Sequence, residues 1–307
     1  MKWGIIISAA IVLIFVVAVL VGTMGGADRP TSRTSVSKLQ AATLPDDLPL
    51  VYTPKNPTGD ANAAYKKAFD FFLANKEKLA VSEGIDPDKK LVLELTDLMI
   101  TAMNAGKVTQ PFLDGQVVMK MNDVAEYEDS LEWTPELSMY GADLLAKQKK
   151  DDKALDAARA AFALGHRTFT HSVLLYNRQQ GLNIMKLAGN RIWEMTSEES
   201  PARKAVAAFG GPVEKIEKSW NNKFEVIMST SPHIGDLLNI ARNDKDLTFR
   251  VQAIRWLGVA KFNPKSQGNL DAIHADIAKF KTSDQALIKR AAEVADAFSK
   301  EDLRRMR

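Results

Sequence analysis

Apolar and polar positions divide the chain into two unequal parts. From Ile5 to Val21 every residue is apolar except Ser8, and no charge interrupts the run. At about 1.5 Å per residue, such a run approaches the ~30 Å hydrocarbon core of a bilayer. Residues 1–27 therefore predict a single membrane anchor, with the lipid bilayer as the partner of residues 5–21. A cleaved signal peptide is the competing reading. Lys2 would supply its basic start and Gly25-Gly26-Ala27 the small residues before a cut, but the apolar run exceeds the about 7–15 residues of such segments. Lys2 on one side and Arg29, Arg33 and Lys38 on the other nearly balance the positive-inside rule. A short leading tail favours the cytoplasm, so the soluble part is expected outside it, in the periplasm if the source is bacterial.

Residues 28–58 carry Ser, Thr, Pro and charge with little periodicity, and read as a flexible linker. Prolines at 45, 49, 54 and 57 predict an extended stretch against the body rather than a helix. From Asp60 the pattern is helical. Ala64, Tyr65, Ala68, Phe69, Phe72 and Leu73 form one apolar face behind an Asp60 cap. Asp86-Pro87 predicts an N-cap followed by proline at the first helical position. Leu91, Leu95, Leu98, Ala102 and Met103 continue that helix to Gly106. Residues 107–133 are less regular, and Val117-Val118-Met119 suits a short strand or a turn of helix.

Thr134-Pro135 predicts another helix start, followed by Leu137, Tyr140, Leu144 and Leu145. Asp151 or Asp152 opens a helix that Gly165 closes. Thr170 begins a long one through Ile192 and Trp193, and Ser200-Pro201 starts the next. No alternating strand of five or more residues follows the anchor. The soluble part is expected to be all-α, with antiparallel helix pairs joined by short connections. Two regions are drawn, a helical domain over 59–198 and a second helical region over 199–307.

The second region shows self-similarity. Phe249-Arg250-x-x-Ala253-x-x-Trp256 aligns with Ile288-Lys289-x-x-Ala292-x-x-Ala295, each behind an acidic residue, and Ala202-Arg203-x-x-Val206-x-x-Phe209 is a looser copy. Over roughly residues 200–300 this resembles HEAT-type helical repeats, and Arg250, Ala253, Leu257 and Gly258 match that motif best. The later copy departs from it at Asp296 and Ala297, where Leu-Gly would be expected. The resemblance implies an irregular α-solenoid of stacked helix pairs. An irregular helical bundle is the alternative.

Composition narrows the chemistry. The 307 residues are 46% hydrophobic and 26% charged, with a net charge of +3 spread along the chain. That spread lacks the dense basic stripe of a nucleic-acid binder, so no nucleic-acid partner is expected. There is no cysteine, which excludes disulfides, thiolate metal sites and a Cys nucleophile. His166 and His171 are five apart, unlike the i, i+4 spacing of metal pairs on a helix. His233 reads as a turn residue and His274 as the boundary of an amphipathic helix. Neither a nucleophile elbow nor a phosphate-binding glycine loop is present. The acidic run Asp123, Glu126, Glu128, Asp129 and Glu132 lacks calcium-loop spacing and reads as a solvated face. No cofactor is expected, and no catalytic residue is assigned. Trp193, Trp220 and Trp256 fit core stripes, and Trp3 an interfacial anchor.

Polar groups concentrate at the joint Gly165-His166-Arg167-Thr168-Phe169-Thr170-His171-Ser172 and again at Tyr176-Asn177-Arg178-Gln179-Gln180. One reading is a capped turn with Arg and Gln on its wet face. The other is a groove for a ligand or partner built from His166, Arg167, His171, Tyr176 and Arg178. The expected function is a membrane-tethered extracytoplasmic helical scaffold that binds a protein or peptide. The alternatives are an enzyme with a site assembled from dispersed residues near His166 and His171, and an accessory subunit of a membrane complex.

Overall fold

The computed structural model describes residues 51–79, 86–108, 125–172, 175–228 and 233–305. Residues 5–21, Val117–Met119 and Trp3 lie outside them. Among the described residues no helix is long and apolar enough to cross a membrane.

The structure is mostly helical. A strand β1 (Asn56–Asp60) leads into α1 (Ala61–Ala74) and a single turn α2 (Lys76–Leu79). Then come α3 (Lys89–Asn104), β2 (Ala105–Lys107), α4 (Ala125–Lys147), α5 (Asp151–His171) and α6 (Leu175–Met195). The chain continues through α7 (Pro201–Met228), α8 (Ile234–Asn243), α9 (Leu247–Ala260), a 3-10 turn (Pro264–Asn269), α10 (Leu270–Lys281), α11 (Ala286–Ala297) and α12 (Lys300–Arg305).

Several helix ends follow the sequence. The Asp60 carboxylate accepts from the Ala63 N–H at 3.1 Å, and α1 buries Ala61, Tyr65, Ala68, Phe69 and Phe72. Pro201 opens α7, where its missing N–H costs nothing. Other ends differ. Asp88, not Asp86, caps α3: its carboxylate accepts from Lys90 and Leu91 N–H groups, and Pro87 stays outside the helix. Thr134-Pro135 starts nothing and lies inside α4. There the Thr134 hydroxyl donates to the Ser130 carbonyl at 2.7 Å, and Leu131 and Leu137 are buried on either side of the proline.

Gly165 does not close α5. It lies in the helix interior, where a Cβ would come within 2.8 Å of the Gly181 carbonyl oxygen. Gly181 in turn lies against Gly165 and Phe169, and Gly189 against Phe162. Residue numbers therefore rise on α5 as they fall on α6. The glycines bring the two backbones into near contact, and this packing keeps α5 helical to His171, past the predicted new start at Thr170.

β1 and β2 form a two-stranded parallel sheet, with Asn56 opposite Ala105 and Asp60 opposite Lys107. No strand was expected here. β1 is largely exposed and carries no apolar alternation, so the sequence gives no period-2 signal. Gly106 permits the pairing, since a Cβ there would meet the Pro57 backbone at 2.5 Å.

One apolar cluster runs from Val51 to Ala295. It crosses the boundary drawn at 198/199, where Phe162 meets Phe209 with ring centroids 5.4 Å apart and Phe169 meets Trp220 at 5.6 Å. Trp220 then meets Phe249 edge-on at 5.3 Å.

Candidate functional site

The polar joint is where the sequence placed a groove, and its five residues take three different positions. Arg167 is buried, and its guanidinium donates to the carbonyls of Ala102 (2.8 Å), Met103 (3.1 Å) and Ala105 (2.5 Å). These are carbonyls at the C-terminal end of α3, which carries partial negative charge. The same guanidinium lies 5.4 Å from the Tyr52 ring and 5.6 Å from the Tyr65 ring. Burial raises the Tyr52 phenol, and Arg167 lowers it in part.

Arg178 is also buried, but on the other side of α5. Its Nε donates to the Phe169 carbonyl at 2.8 Å. Its Nη1 reaches both Asp246 oxygens, at 3.0 and 3.2 Å, and the Thr248 hydroxyl at 2.6 Å. Asp246 is itself the N-cap of α9, accepting from the Thr248 N–H. Arg178 therefore ties the α5–α6 turn to the start of α9. Both arginines are turned inward, so the wet face expected for Arg at this joint is not what forms.

The other three residues stay nearer solvent. His166 is half-buried and meets Tyr52 edge-on at 6.3 Å. Its Nδ1 is buried without a hydrogen-bond partner among the described residues. Burial first, then the charges of His171 and Arg167, push the His166 imidazole down to about 4. His171 ends α5 and is lowered by the same burial and by Arg167. Tyr176 is exposed, and its hydroxyl accepts from the Gln180 amide at 2.9 Å. The structure thus brings His166 and Arg167 to one patch around Tyr52, places Arg178 at the α9 junction, and leaves Tyr176 at the surface. No group of His, Asp and Glu among the described residues could hold a metal ion.

A different concavity lies between α6 and α7. Met185, Lys186, Gly189 and Asn190 line it from α6, and Val206, Phe209, Gly210 and Val213 from α7, around a volume of about 310 Å³. A second hollow of about 290 Å³ is lined by Trp193, Glu198, Arg203, Lys204 and Ala207. Both draw on the same two helices, and Gly189 and Trp193 lie one helical turn apart on one wall. Trp193, expected in the core, is 41% exposed, with the Arg203 guanidinium 4.0 Å from its ring. Gly210 and Gly211 face open space, and Gly210 leaves its part of the lining without a side chain. The sequence signal for this groove was the pair Gly210-Gly211 in an amphipathic helix, which periodicity alone does not distinguish from a core position.

No protein-family model matches the chain, and no curated protein or solved structure matches it either. A functional reading therefore rests on the residues and their geometry.

Proposed function

We propose that the protein is a membrane-tethered, extracytoplasmic helical scaffold whose α6–α7 groove receives a protein or peptide partner. The observation that carries the reading is the groove itself: a hollow with largely apolar walls and a glycine on each side, continued by a second hollow where exposed Trp193 sits among Glu198, Arg203 and Lys204. Exposed aromatic anchors beside apolar hollows are common centres of binding energy. The apolar run at residues 5–21 supports the tether.

The finer architecture belongs to the same proposal. Arg242 on α8 bonds Asp276 on α10 at 2.7 Å. Arg250 on α9 bonds Gln285, the N-cap of α11, at 3.3 Å. Gly258 on α9 lies against Ala295 on α11. First helix meets first helix and second meets second, and α9 and α11 run in the same direction, which supports a short stack of two HEAT-like pairs.

Two measurements test the reading in the full chain. A photo-crosslinking residue at Ala207, in the groove, is expected to capture a discrete partner band that the same residue at exposed Lys289 does not. Protease added to intact cells or spheroplasts is expected to digest the body while the anchor stays in the membrane fraction. Equal capture from both positions, or a body protected on the cytoplasmic side, overturns the proposal.

A further inference from the structure

We propose that residues 51–59 form a strap that acid releases from α5 while the rest of the body stays folded, with His166, beneath Tyr52, as its trigger. The inference goes beyond the groove and does not depend on it.

The strap is lightly held. Within it only Val51 and Tyr52 are buried, and most of the remaining residues are exposed. Its β1 part pairs with the three-residue β2, and the register shifts between the two paired positions. Pro57 has no N–H to give to that ladder. Lys55 reaches the Asp156 carboxylate at 3.4 Å, but the lysine side chain is 71% exposed, so this pair adds little. Tyr52 is therefore the main fastening. The chain becomes firmly held again at Asp60, which caps α1.

Under Tyr52 lie one cation and one group able to become a second. The Arg167 guanidinium is 5.4 Å from the Tyr52 ring centroid, and Arg167 is buried on the carbonyls that end α3. The His166 ring meets Tyr52 edge-on at 6.3 Å, and its Nδ1 is buried without a hydrogen-bond partner among the described residues. A proton on that ring would need an acceptor that the closed strap does not supply, and it would place a positive charge beside Arg167. The charged groups that bear on His166 are Arg167 and His171, both on α5. Tyr52 on the strap and Tyr65 on α1, the titratable groups across Arg167, are held neutral by burial.

Lifting the strap lets water reach the ring, which hydrates the proton and screens the two cations. The closed ring is held at about 4, against about 6.5 for a solvated histidine. Between those values the released state takes up a proton that the closed state does not, so release is favoured as pH falls through that window and reversed as it rises. Release frees nine residues ahead of α1, up to about 30 Å when extended. On a body held by an anchor at residues 5–21, that lengthens the tether and uncovers Arg167.

The absence of cysteine makes a direct test possible in the full-length protein. Val51→Cys places a small apolar thiol under the strap, and Met185→Cys places one in the core of the body, where Met185 is fully buried. A dipyridyl disulfide labels each thiol at pH 7.5 and pH 4.5, and each rate is divided by that of the same chain unfolded in urea at the same pH. The normalised rate at position 51 is expected to rise about thirtyfold on acidification, and that at position 185 to stay constant. Adding His166→Phe or His166→Gln to Val51→Cys should abolish the rise, whereas adding Lys55→Met should leave it in place. Thermal unfolding at pH 7.5 verifies that each variant is folded. An unchanged rate at position 51, an equal rise at position 185, a rise that survives in a folded His166 variant, or a rise lost with Lys55→Met each overturns the proposal.

Discussion

The seam between α5 and α6 and the junction that leads into α9 are held together by different means. Within α5 and α6 the seam is backbone against backbone, with Gly165 and Gly181 at its centre. The buried Arg167 beside it directs its guanidinium to the carbonyls that end α3. Charge pairs join helices in both parts, but Lys153 with Asp97 and Arg191 with Asp143 in the earlier part stay partly exposed, whereas Arg178 on α6 with Asp246 on α9, and Lys223 with Asp244, go inside. Lys223 and Asp244 are nearly fully buried. The contrast shows two ways of joining helices. The first requires that no side chain be present. The second requires that two be present together, and it positions the later hairpins against the earlier body through specific partners. Close packing is intolerant of volume, whereas buried pairing is intolerant of losing one member.

The strongest test of that contrast is a single methyl group. In Gly181→Ala the new Cβ would sit 2.6 Å from both the Gly165 carbonyl oxygen and the Phe169 backbone nitrogen. Backbone cannot step aside as a flexible side chain can, so the cost should exceed ordinary overpacking and reach about 4 kcal/mol. Gly258→Ala meets the Ala295 Cα at the same distance, but it separates only α9 from α11. Urea unfolding followed by hydrogen exchange should show protection lost throughout 51–228 in the first variant and mainly over 234–305 in the second. Identical patterns would mean that the two seams are not distinct.

Arg178→Met examines the second mode. The variant takes the guanidinium from the Asp246 carboxylate and the Phe169 carbonyl at a buried junction, and leaves Asp246 only its Thr248 N–H donor among the described residues. Breaking such a pair should cost about 3 kcal/mol. The loss should appear first as loosening of α9, whose N-cap is Asp246, and as a change in the emission of Trp220, whose ring lies 5.0 Å from the guanidinium. A double variant that also changes Asp246→Asn should recover part of the stability, because it removes the stranded charge. No coupling between the two sites would show that the carbonyl bond alone matters.

Acid should distinguish the regions as well. The His166 imidazole is held at about 4 by burial and by nearby His171 and Arg167, against an unfolded value of about 6.5. Between those two values the unfolded chain takes up a proton that the native chain does not. Stability therefore falls as pH falls from about 6.5 to about 4, and below that the loss is complete. Since the ring keeps some exposure, the loss should be about 2 kcal/mol rather than the full value of the shift. His166→Phe retains an aromatic ring against Tyr52 and should flatten the profile over that range, apart from the smaller share carried by His171. An unchanged slope would place the acid sensitivity elsewhere.

Periodicity made most helices legible, because their buried faces are continuous. It failed where one contact overrides local preference. Gly165 carries the sequence signature of a helix end, yet its role is set by Gly181, sixteen residues later on another helix. Thr134-Pro135 resembles a cap, yet Leu131 before it and Leu137 after it are both buried and the helix runs through. Asp86 before Pro87 reads as a cap, yet the cap that forms is Asp88, two residues later. The polar joint was visible as a concentration of Arg, His and Gln. Sequence could not show that its arginines would find carbonyls and a carboxylate 60 or more residues away. The α6–α7 groove was the least legible feature, since it depends on what α7 lacks.

The smallest expected effect lies at the turn between α4 and α5, where the two regimes have no say. Lys149 adopts φ of 59°, the left-handed conformation. The Lys149 N–H donates to the Ala146 carbonyl at 2.9 Å and the Lys150 N–H to the Leu145 carbonyl at 3.0 Å. That is a Schellman cap, and the left-handed position within it is the one glycine fills most often. A Cβ there is pressed toward the following carbonyl at a cost of about 1 kcal/mol. Lys149→Gly removes the clash and leaves both capping bonds intact. Glycine also loses more backbone freedom on folding, which offsets part of the gain, so the net should be a stabilisation of about 0.5 kcal/mol. Lys149→Ala retains the Cβ and should gain nothing. A paired urea titration of the two variants separates backbone strain from loss of the lysine charge: equal midpoints would assign any gain to the charge, and a higher midpoint for glycine alone assigns it to the cap.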